Sequence, residues 1–306
     1  MNYLDAEQTR QLLPYSALAD ALREVLAARL EGKAYAPVRT SMPLPGDGAE
    51  AVLLLMPARA ERLAITKLVT VHPRNAERGL PVVQADVLVM DAATGERLVL
   101  LDGAVVTARR TAALSLLAAR LLAPRPGGPL LVVGSGTQAR AHMEALHEGL
   151  SVVEVYITSK NMAHSEALAA HGRGLGLDAR AISDPGEVLS RVSLVATATT
   201  STRPVLPPNV GERTFIAAVG AYTPSMAELP PELVRRSRLF VDTLDGAQAE
   251  AGDLIQAGVD WGRVTPLEQA LDMERPESGP VIFKSVGHAL WDLAAARLAV
   301  GPTGAL

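Results

Sequence analysis

The chain of 306 residues contains no cysteine, which excludes disulfides, thiolate metal sites and a cysteine nucleophile. Aromatic residues make up only 3%, and the apolar content rests on alanine and leucine, which favour helices. Positive charge is not in excess: 29 Lys and Arg stand against 33 Asp and Glu, a net charge of −4. No basic stripe of the kind that grips nucleic acid results. No apolar run approaches the ~18 residues needed to span a bilayer. The opening segment, Met1-Asn2-Tyr3-Leu4-Asp5, lacks the basic and then apolar stretches of a secretory signal. A cytoplasmic protein with no membrane and no nucleic-acid partner is expected. The six histidines show no metal spacing. His142 and His147 fall five apart on a helical stretch and do not share a face, so they read as surface or packing residues and no metal is expected. No Gly-x-Ser-x-Gly elbow supports a hydrolase.

Hydrophobic residues nevertheless reach 48% and charged residues 20%, enough for a sizeable core in about two domains. The first part reads as a helix at 15–30 followed by strands at 51–56, 63–71, 82–90 and 97–101. The strands are rich in Val, Leu and Ile and separated by turn residues, with Asp91-Ala92-Ala93-Thr94-Gly95 as a hairpin turn. Strands in succession without intervening helices imply a mainly antiparallel sheet. A helix follows at 107–123, with Thr107 as its N-cap and Pro124 just past its end. Pro124-Arg125-Pro126-Gly127-Gly128-Pro129 is the clearest linker. Beyond it, strands at 130–133, 152–157, 179–182, 194–197, 215–219 and 239–241 alternate with helices at 162–175 and 185–191. The last segment, 281–299, is a strand and then a helix starting near Gly287. The expected fold class is α/β, a Rossmann-type doubly wound parallel sheet at 124–285 joined to an α+β domain at 1–123.

The most informative local feature is the turn Gly134-Ser135-Gly136-Thr137-Gln138-Ala139 between an apolar strand and a helix. Strand, glycine turn and helix together seat a dinucleotide pyrophosphate on a helix N-terminus. Gly134 allows the tight turn, Gly136 lets the backbone approach the phosphates, and Ala139 takes the small third position of the pattern. About 20 residues on, where an acid would bind an NAD ribose, stand Thr158, Ser159 and Lys160. Two hydroxyls and an ammonium suit a 2′-phosphate, so NADP is expected in preference to NAD. Thr197-Ala198-Thr199 and Val219-Gly220-Ala221 end later strands at the carboxyl edge, where the crevice should open.

Three cations of the first domain suggest an anion site. Lys67 lies inside an apolar strand and shares a face with Ile65, Val69 and Val71 by alternation. Burial there lowers an ammonium's pKa and suits a proton donor. Arg110 is placed in the first turn of the 107–123 helix, where a cation conflicts with the helix dipole unless an anion docks. Arg109 beside it is expected to point away and be exposed. Arg39 precedes the loop Pro43-Leu44-Pro45-Gly46, and two arginines can hold a carboxylate by bidentate contacts. The two arginines and Lys67 are expected to converge on the mouth of the nucleotide crevice.

These stretches together resemble the ornithine cyclodeaminase/mu-crystallin family. The resemblance rests on Thr66-Lys67-Leu68-Val69-Thr70, Leu101-Asp102-Gly103, Arg110-Thr111-Ala112-Ala113, Val133-Gly134-Ser135-Gly136-Thr137-Gln138-Ala139, Ala217-Ala218-Val219-Gly220-Ala221 and Phe283-Lys284-Ser285-Val286-Gly287, in family order. It implies a nicotinamide cofactor, a small substrate with an α-carboxylate, and a homodimer formed through the first domain. That domain would be completed by a C-terminal helix at 286–306. Arg39, Lys67 and Arg110 match positions that hold the substrate carboxylate and the region of the reacting nitrogen. Thr111, Ser285, Val286 and Gly287 match positions near the nicotinamide, and Gly134, Gly136, Thr137, Gln138 and Ala139 match the pyrophosphate loop. Where cyclodeaminases carry an aspartate after the Val-Gly of the fifth strand, this chain has Tyr222. Where they carry a glutamate before Leu-Met-Pro, it has Leu54. A diamine would meet an apolar wall there, and the mu-crystallin branch, which reduces cyclic ketimines, lacks the same acids. The expected activity is NAD(P)H-dependent reduction of small cyclic imino acids or a related amino-acid dehydrogenation. Lys67 and Tyr222 are the candidate catalytic groups. The alternatives are ornithine cyclodeamination and non-catalytic, NADP-dependent binding of a small molecule.

Overall fold

The computed structural model describes residues 2–45 and 51–301. Gly46 of the 43–46 loop and the end of the expected terminal helix, 302–306, lie outside the described residues. Contacts divide the chain into two units, Met1–Arg110 with His288–Leu306, and Thr111–Gly287.

The first unit comprises β1 (Asn2–Leu4), α1 (Ala6–Gln11), α2 (Tyr15–Leu30), β2 (Ala34–Tyr35), β3 (Thr40–Leu44), β4 (Ala51–Ala60), β5 (Leu63–Val71), β6 (Val83–Asp91), β7 (Arg97–Asp102) and the start of α3 (Gly103–Leu122). Its sheet runs β1-β7-β6-β5-β4-β2, with β3 also paired to β4. All pairings are antiparallel except β1 with β7. The 91–95 turn forms as expected: Asp91 Oδ1 accepts from the N–H groups of Ala93 and Thr94 and from the Thr94 hydroxyl. Antiparallel register places Met56, Lys67, Val87 and Leu101 in one row on one face, and all four are buried. The covering layer is α9 (Ala289–Val300), which packs on β4, β5 and β6 and against α2. Nearly every α9 residue is buried, as its almost wholly apolar sequence requires.

The second unit holds the rest of α3, then β8 (Leu130–Val133), α4 (Thr137–Leu150), β9 (Glu154–Thr158), α5 (Met162–Gly174), β10 (Asp178–Ala181), β11 (Leu194–Thr197), β12 (Phe215–Ala218), α6 (Pro231–Arg236), β13 (Arg238–Val241), α7 (Leu244–Glu250), α8 (Gly252–Ala257), β14 (Val264–Pro266) and β15 (Val281–Lys284). The sheet is parallel throughout, in the order β10-β9-β8-β11-β12-β15-β13-β14. Chain order reverses beside β8, with β9 on one side and β11 on the other. This is the switch point at which doubly wound sheets bind their ligands. Strands β8, β11, β12 and β15 are buried at every position, as the inner strands of a sheet covered on both faces must be.

Several expectations are corrected. The helix expected from Thr107 begins at Gly103, because the Asp102 side chain accepts from Val105 N–H at 2.8 Å and caps it earlier. Thr107 is therefore inside the helix, and Arg110 is beyond the first turn, so the dipole argument for an anion at Arg110 does not apply. Gly103 is small for packing: a Cβ there would lie 2.6 Å from the Ala85 carbonyl carbon. Arg109 is half-buried rather than exposed; its Nε donates to Leu13 O at 2.6 Å and its guanidinium stacks 3.7 Å from the Tyr15 ring centre. The helix expected at 185–191 is a single 3-10 turn, Pro185–Glu187, capped by Asp184.

Candidate active site

Within the first unit, Lys67 and Arg110 meet on one carboxylate. Lys67 Nζ lies 2.8 Å from Asp292 Oδ2, and Arg110 Nε lies 3.2 Å from Asp292 Oδ1. Lys67 also donates to Thr107 Oγ1 at 3.4 Å. The three charged groups are almost completely buried, with 2%, 5% and 0% exposure for Lys67, Arg110 and Asp292. Burial pulls the Lys67 ammonium down to about 8 from its ordinary 10.5; Asp292 opposes the shift, while the charges of Arg110 and Arg39 add to it. Arg39, half-buried just before β3, is thus close enough for its field to act on Lys67. Two cations share one anion here, and Arg110 Nη1 is buried without a hydrogen-bond partner. Such a group costs roughly 1–3 kcal/mol of desolvation when left unpaired. Buried ion pairs are poor devices for stability. An incoming carboxylate would satisfy the vacant N–H and balance the second cation.

In the second unit, the expected cofactor stretches lie at the carboxyl ends of adjacent strands β9, β8, β11, β12 and β15. Gly134 has φ +122°, and a Cβ on it would stand 2.4 Å from Ala198 O, so this position requires glycine on both counts. Its N–H donates to Thr158 O at 2.8 Å. Gly136 begins α4 with no side-chain cap, and a Cβ there would meet nothing within 4 Å. Uncapped N–H groups beside open space fit a dinucleotide pyrophosphate. Gly136 and Thr137 are exposed, Gln138 is half-buried, and Ala139 is fully buried against the sheet.

The other expected residues vary in what they present. The Thr158 side chain is buried; the Ser159 hydroxyl donates to Asn161 O and pairs with Ser165; Lys160 is exposed. Thr197 is buried, with its hydroxyl on Glu228, and the N–H groups of Thr199 and Gly220 also turn inward to Glu228. Ala198 and Val219 line the same edge, where their N–H groups continue the ladder to Val133 O and Thr197 O. Ser285 Oγ and the N–H groups of Val286 and Gly287 all donate to Asp242 Oδ2, at 2.8, 3.0 and 2.8 Å. Thr111 is buried at the start of this unit, and the Tyr222 side chain is 42% exposed.

Four carboxylates escaped the sequence reading: Asp292, Asp242, Glu228 and Asp253. Asp292 left one signal, the single acid on a helix whose other residues are apolar apart from Arg297. The others hold backbone N–H groups far away in sequence and left none.

A buried lysine of β5 and a buried arginine of α3 on one carboxylate, in the same chain as a doubly wound parallel sheet, define a class of two-unit α/β proteins. The chain belongs to the ornithine cyclodeaminase/mu-crystallin family, whose pattern matches residues 2–300. It is 41% identical over 300 residues to Delta(1)-pyrroline-2-carboxylate reductase 2 of Burkholderia ambifaria, covering 96% of this chain and 94% of that protein. To the ketimine reductase mu-crystallin of Mus musculus it is 34% identical over 308 residues, covering 97% and 95% of the two chains. Among solved structures, the Thermococcus litoralis Delta(1)-pyrroline-2-carboxylate reductase in complex with NADH and L-proline superposes with a TM-score of 0.91 at 28% identity, covering 98% of this chain and 96% of that one.

Proposed function

We propose that this chain is an NAD(P)H-dependent reductase of cyclic 2-imino acids of the pyrroline-2-carboxylate or piperideine-2-carboxylate type. The observation that carries the reading is the buried Lys67–Asp292–Arg110 cluster with its unpartnered Arg110 Nη1. The reductases and the ketimine reductase among its relatives support it. Arg110 and Arg39 take the substrate carboxylate and orient the C=N carbon, and orientation supplies much of the rate in such reactions. Lys67 gives its proton to the imine nitrogen, and Asp292 keeps that ammonium charged despite burial. When bound, the reduced nicotinamide supplies the hydride. Lys67 gives the imine nitrogen its proton, so that with hydride on the carbon C=N would become CH–NH, and Lys67 is then recharged from solvent. Gly136, Thr137 and Gln138 would hold the pyrophosphate, with Gly134 making the tight turn and Ala139 packing the helix close to the sheet. The edge residues Thr197–Thr199, Val219–Gly220 and Ser285–Gly287, with Thr111, frame the nicotinamide half. Tyr222 lends a hydroxyl at the same edge.

NADPH is the preferred donor. The segment after β9 offers Lys160 and no acid, which suits a 2′-phosphate and leaves a bare ribose without its acidic partner. The protein works in the cytoplasm as a homodimer. Met42, Leu55 and Leu68, exposed at 50%, 40% and 44%, share the outward face of β3, β4 and β5 and make an apolar surface that a second copy would cover.

A panel of imines with NADPH and NADH tests the reading. Expected is oxidation of the reduced cofactor with pyrroline-2-carboxylate or piperideine-2-carboxylate, faster with NADPH. Ammonia release from ornithine without added reductant would instead assign cyclodeamination. Tight NADPH binding with no turnover of any imine would assign a binding protein.

A further inference from the structure

The carboxyl edge of the parallel sheet is held by three ionisable side chains that the proposed chemistry does not use. Glu228, in the loop after β12, is fully buried. Its Oε2 accepts from Thr197 Oγ1 at 2.9 Å and from Gly220 N–H at 2.7 Å, and its Oε1 accepts from Thr199 N–H at 2.7 Å. One carboxylate thus ties the end of β11 to the end of β12. The fit leaves no slack: a Cβ on Gly220 would lie 2.2 Å from Thr199 O and 2.3 Å from Glu228 Oε1. Glu228 is itself gripped, since Asp253 Oδ1 accepts from the N–H groups of Glu228 and Leu229 at 2.6 and 2.9 Å. Asp253 Oδ2 lies 3.1 Å from Lys284 Nζ, at the end of β15. Asp253 and Lys284 are 1% and 0% exposed.

The line Glu228–Asp253–Lys284 joins the ends of β11, β12 and β15, and Lys284 leads directly into Ser285–Gly287. Two buried carboxylates against one buried lysine are an expensive way to join strands that already pair by backbone hydrogen bonds. What the triad adds is fixed geometry in the segments just past those strands, where the sheet's own ladder ends. Of Glu228's three partners, Thr199 and Gly220 belong to those segments and Thr197 is the last residue of β11.

We infer that Glu228 is a positioning residue of the cofactor site, holding Thr197–Thr199 and Gly220 in the conformation that receives the nicotinamide half of NAD(P)H. The inference rests on the reading of this edge as a cofactor site. It predicts a specific kinetic signature. Glutamine has the shape of Glu228 but only one acceptor oxygen, so its amide must face at least one N–H or hydroxyl donor. One segment then loses its anchor, and cofactor binding weakens while the Lys67–Asp292–Arg110 cluster of the first unit stays intact.

The test is NADPH titration of the full-length protein, by fluorescence or calorimetry, with steady-state kinetics of imine reduction. Glu228→Gln is expected to raise the NADPH Kd and KM by roughly tenfold or more, the scale of a lost charge-assisted hydrogen bond. Its KM for the imine, which depends on the Lys67–Asp292–Arg110 cluster and not on this edge, stays within about threefold of the starting protein. A folded Glu228→Gln protein with a lower Tm but unchanged NADPH Kd would assign Glu228 to stability alone and overturn the inference. If Glu228→Gln fails to fold, Thr197→Val, which deletes one donor and keeps the shape, is expected to weaken NADPH binding by a few fold; an unchanged Kd overturns the inference equally. Absence of NADPH and NADH binding by the unsubstituted protein would instead overturn the cofactor site itself.

Discussion

Lys67 is the residue on which the proposed chemistry turns. A lysine proton donor must be charged, and burial brings this one down to about 8. The pH dependence of kcat/KM reports the free enzyme, so activity is expected to fall as pH rises through about 8, where Lys67 loses its proton. Asp292 holds that value up. Asp292→Asn is therefore expected to move the alkaline limb to lower pH, measured as a pH–rate profile; a limb left in place would remove Lys67 from the proton transfer. Lys67→Met should lower kcat by a factor of roughly 10² to 10⁴, the usual worth of general acid catalysis, with NADPH affinity unchanged by direct titration. Lys67 was readable from the sequence because strand alternation alone put a charge on an apolar face. Asp292 was less so, since an acid in the first turn of a helix already has an ordinary electrostatic reason to be there.

At the scale of elements, the glycine turn separates two roles that a motif lumps together. Gly134→Ala meets both a left-handed φ and the Ala198 carbonyl, so it is expected to destabilise the fold by at least about 1–3 kcal/mol. Gly136→Ala meets nothing within 4 Å and should leave the melting temperature nearly unchanged while weakening NADPH binding. If Gly136→Ala binds NADPH normally, the open space over that turn is not where the pyrophosphate lies. Behind the turn, α4 is pinned to α3 by His142, whose ring nitrogens contact Gln138 O at 2.8 Å and Ser115 Oγ at 2.9 Å. Burial pulls His142 down to about 4 from 6.5. The unfolded chain takes up this proton first, so stability should be lost as pH falls from about 6.5 and level off near 4. The full effect is at most about 3 kcal/mol. Thermal melts across that range should show a shallower acid slope in His142→Leu; an identical slope would mean His142 is charged in the folded state. The long elements were readable from periodicity. The early start of α3 was hidden by Asp102-Gly103, which reads as a turn although Asp102 is the cap. The short strands β2 and β3 carry too few residues for any period to show.

For the whole molecule, the sequence shows an abrupt change from successive strands to alternating strands and helices, and the two sheets follow that change. Contacts place the division inside α3 rather than at the proline- and glycine-rich segment 124–129. The later part of α3 belongs to the second unit through pairs such as Ser115 with His142. What no local pattern could reveal is the set of buried acids, Asp242, Glu228 and Asp253, because each binds backbone groups brought near only by the finished sheet. The apolar outer face of the antiparallel sheet supports a homodimer. Leu55→Glu combined with Leu68→Glu is expected to convert a dimer into a monomer by light scattering after size exclusion; an unchanged mass would place the interface elsewhere.

In the proposed chemistry a buried cation pair selects imines by their carboxylate and presents them for reduction. The most direct measurement compares kcat/KM for pyrroline-2-carboxylate with that for the same ring lacking the carboxylate, in the unsubstituted protein and in Arg110→Met. The expected result is a preference of at least about a hundredfold for the carboxylate, the scale of a charge-assisted contact in a desolvated site, and its collapse in Arg110→Met. Equal turnover of the two rings by the unsubstituted protein would contradict the account.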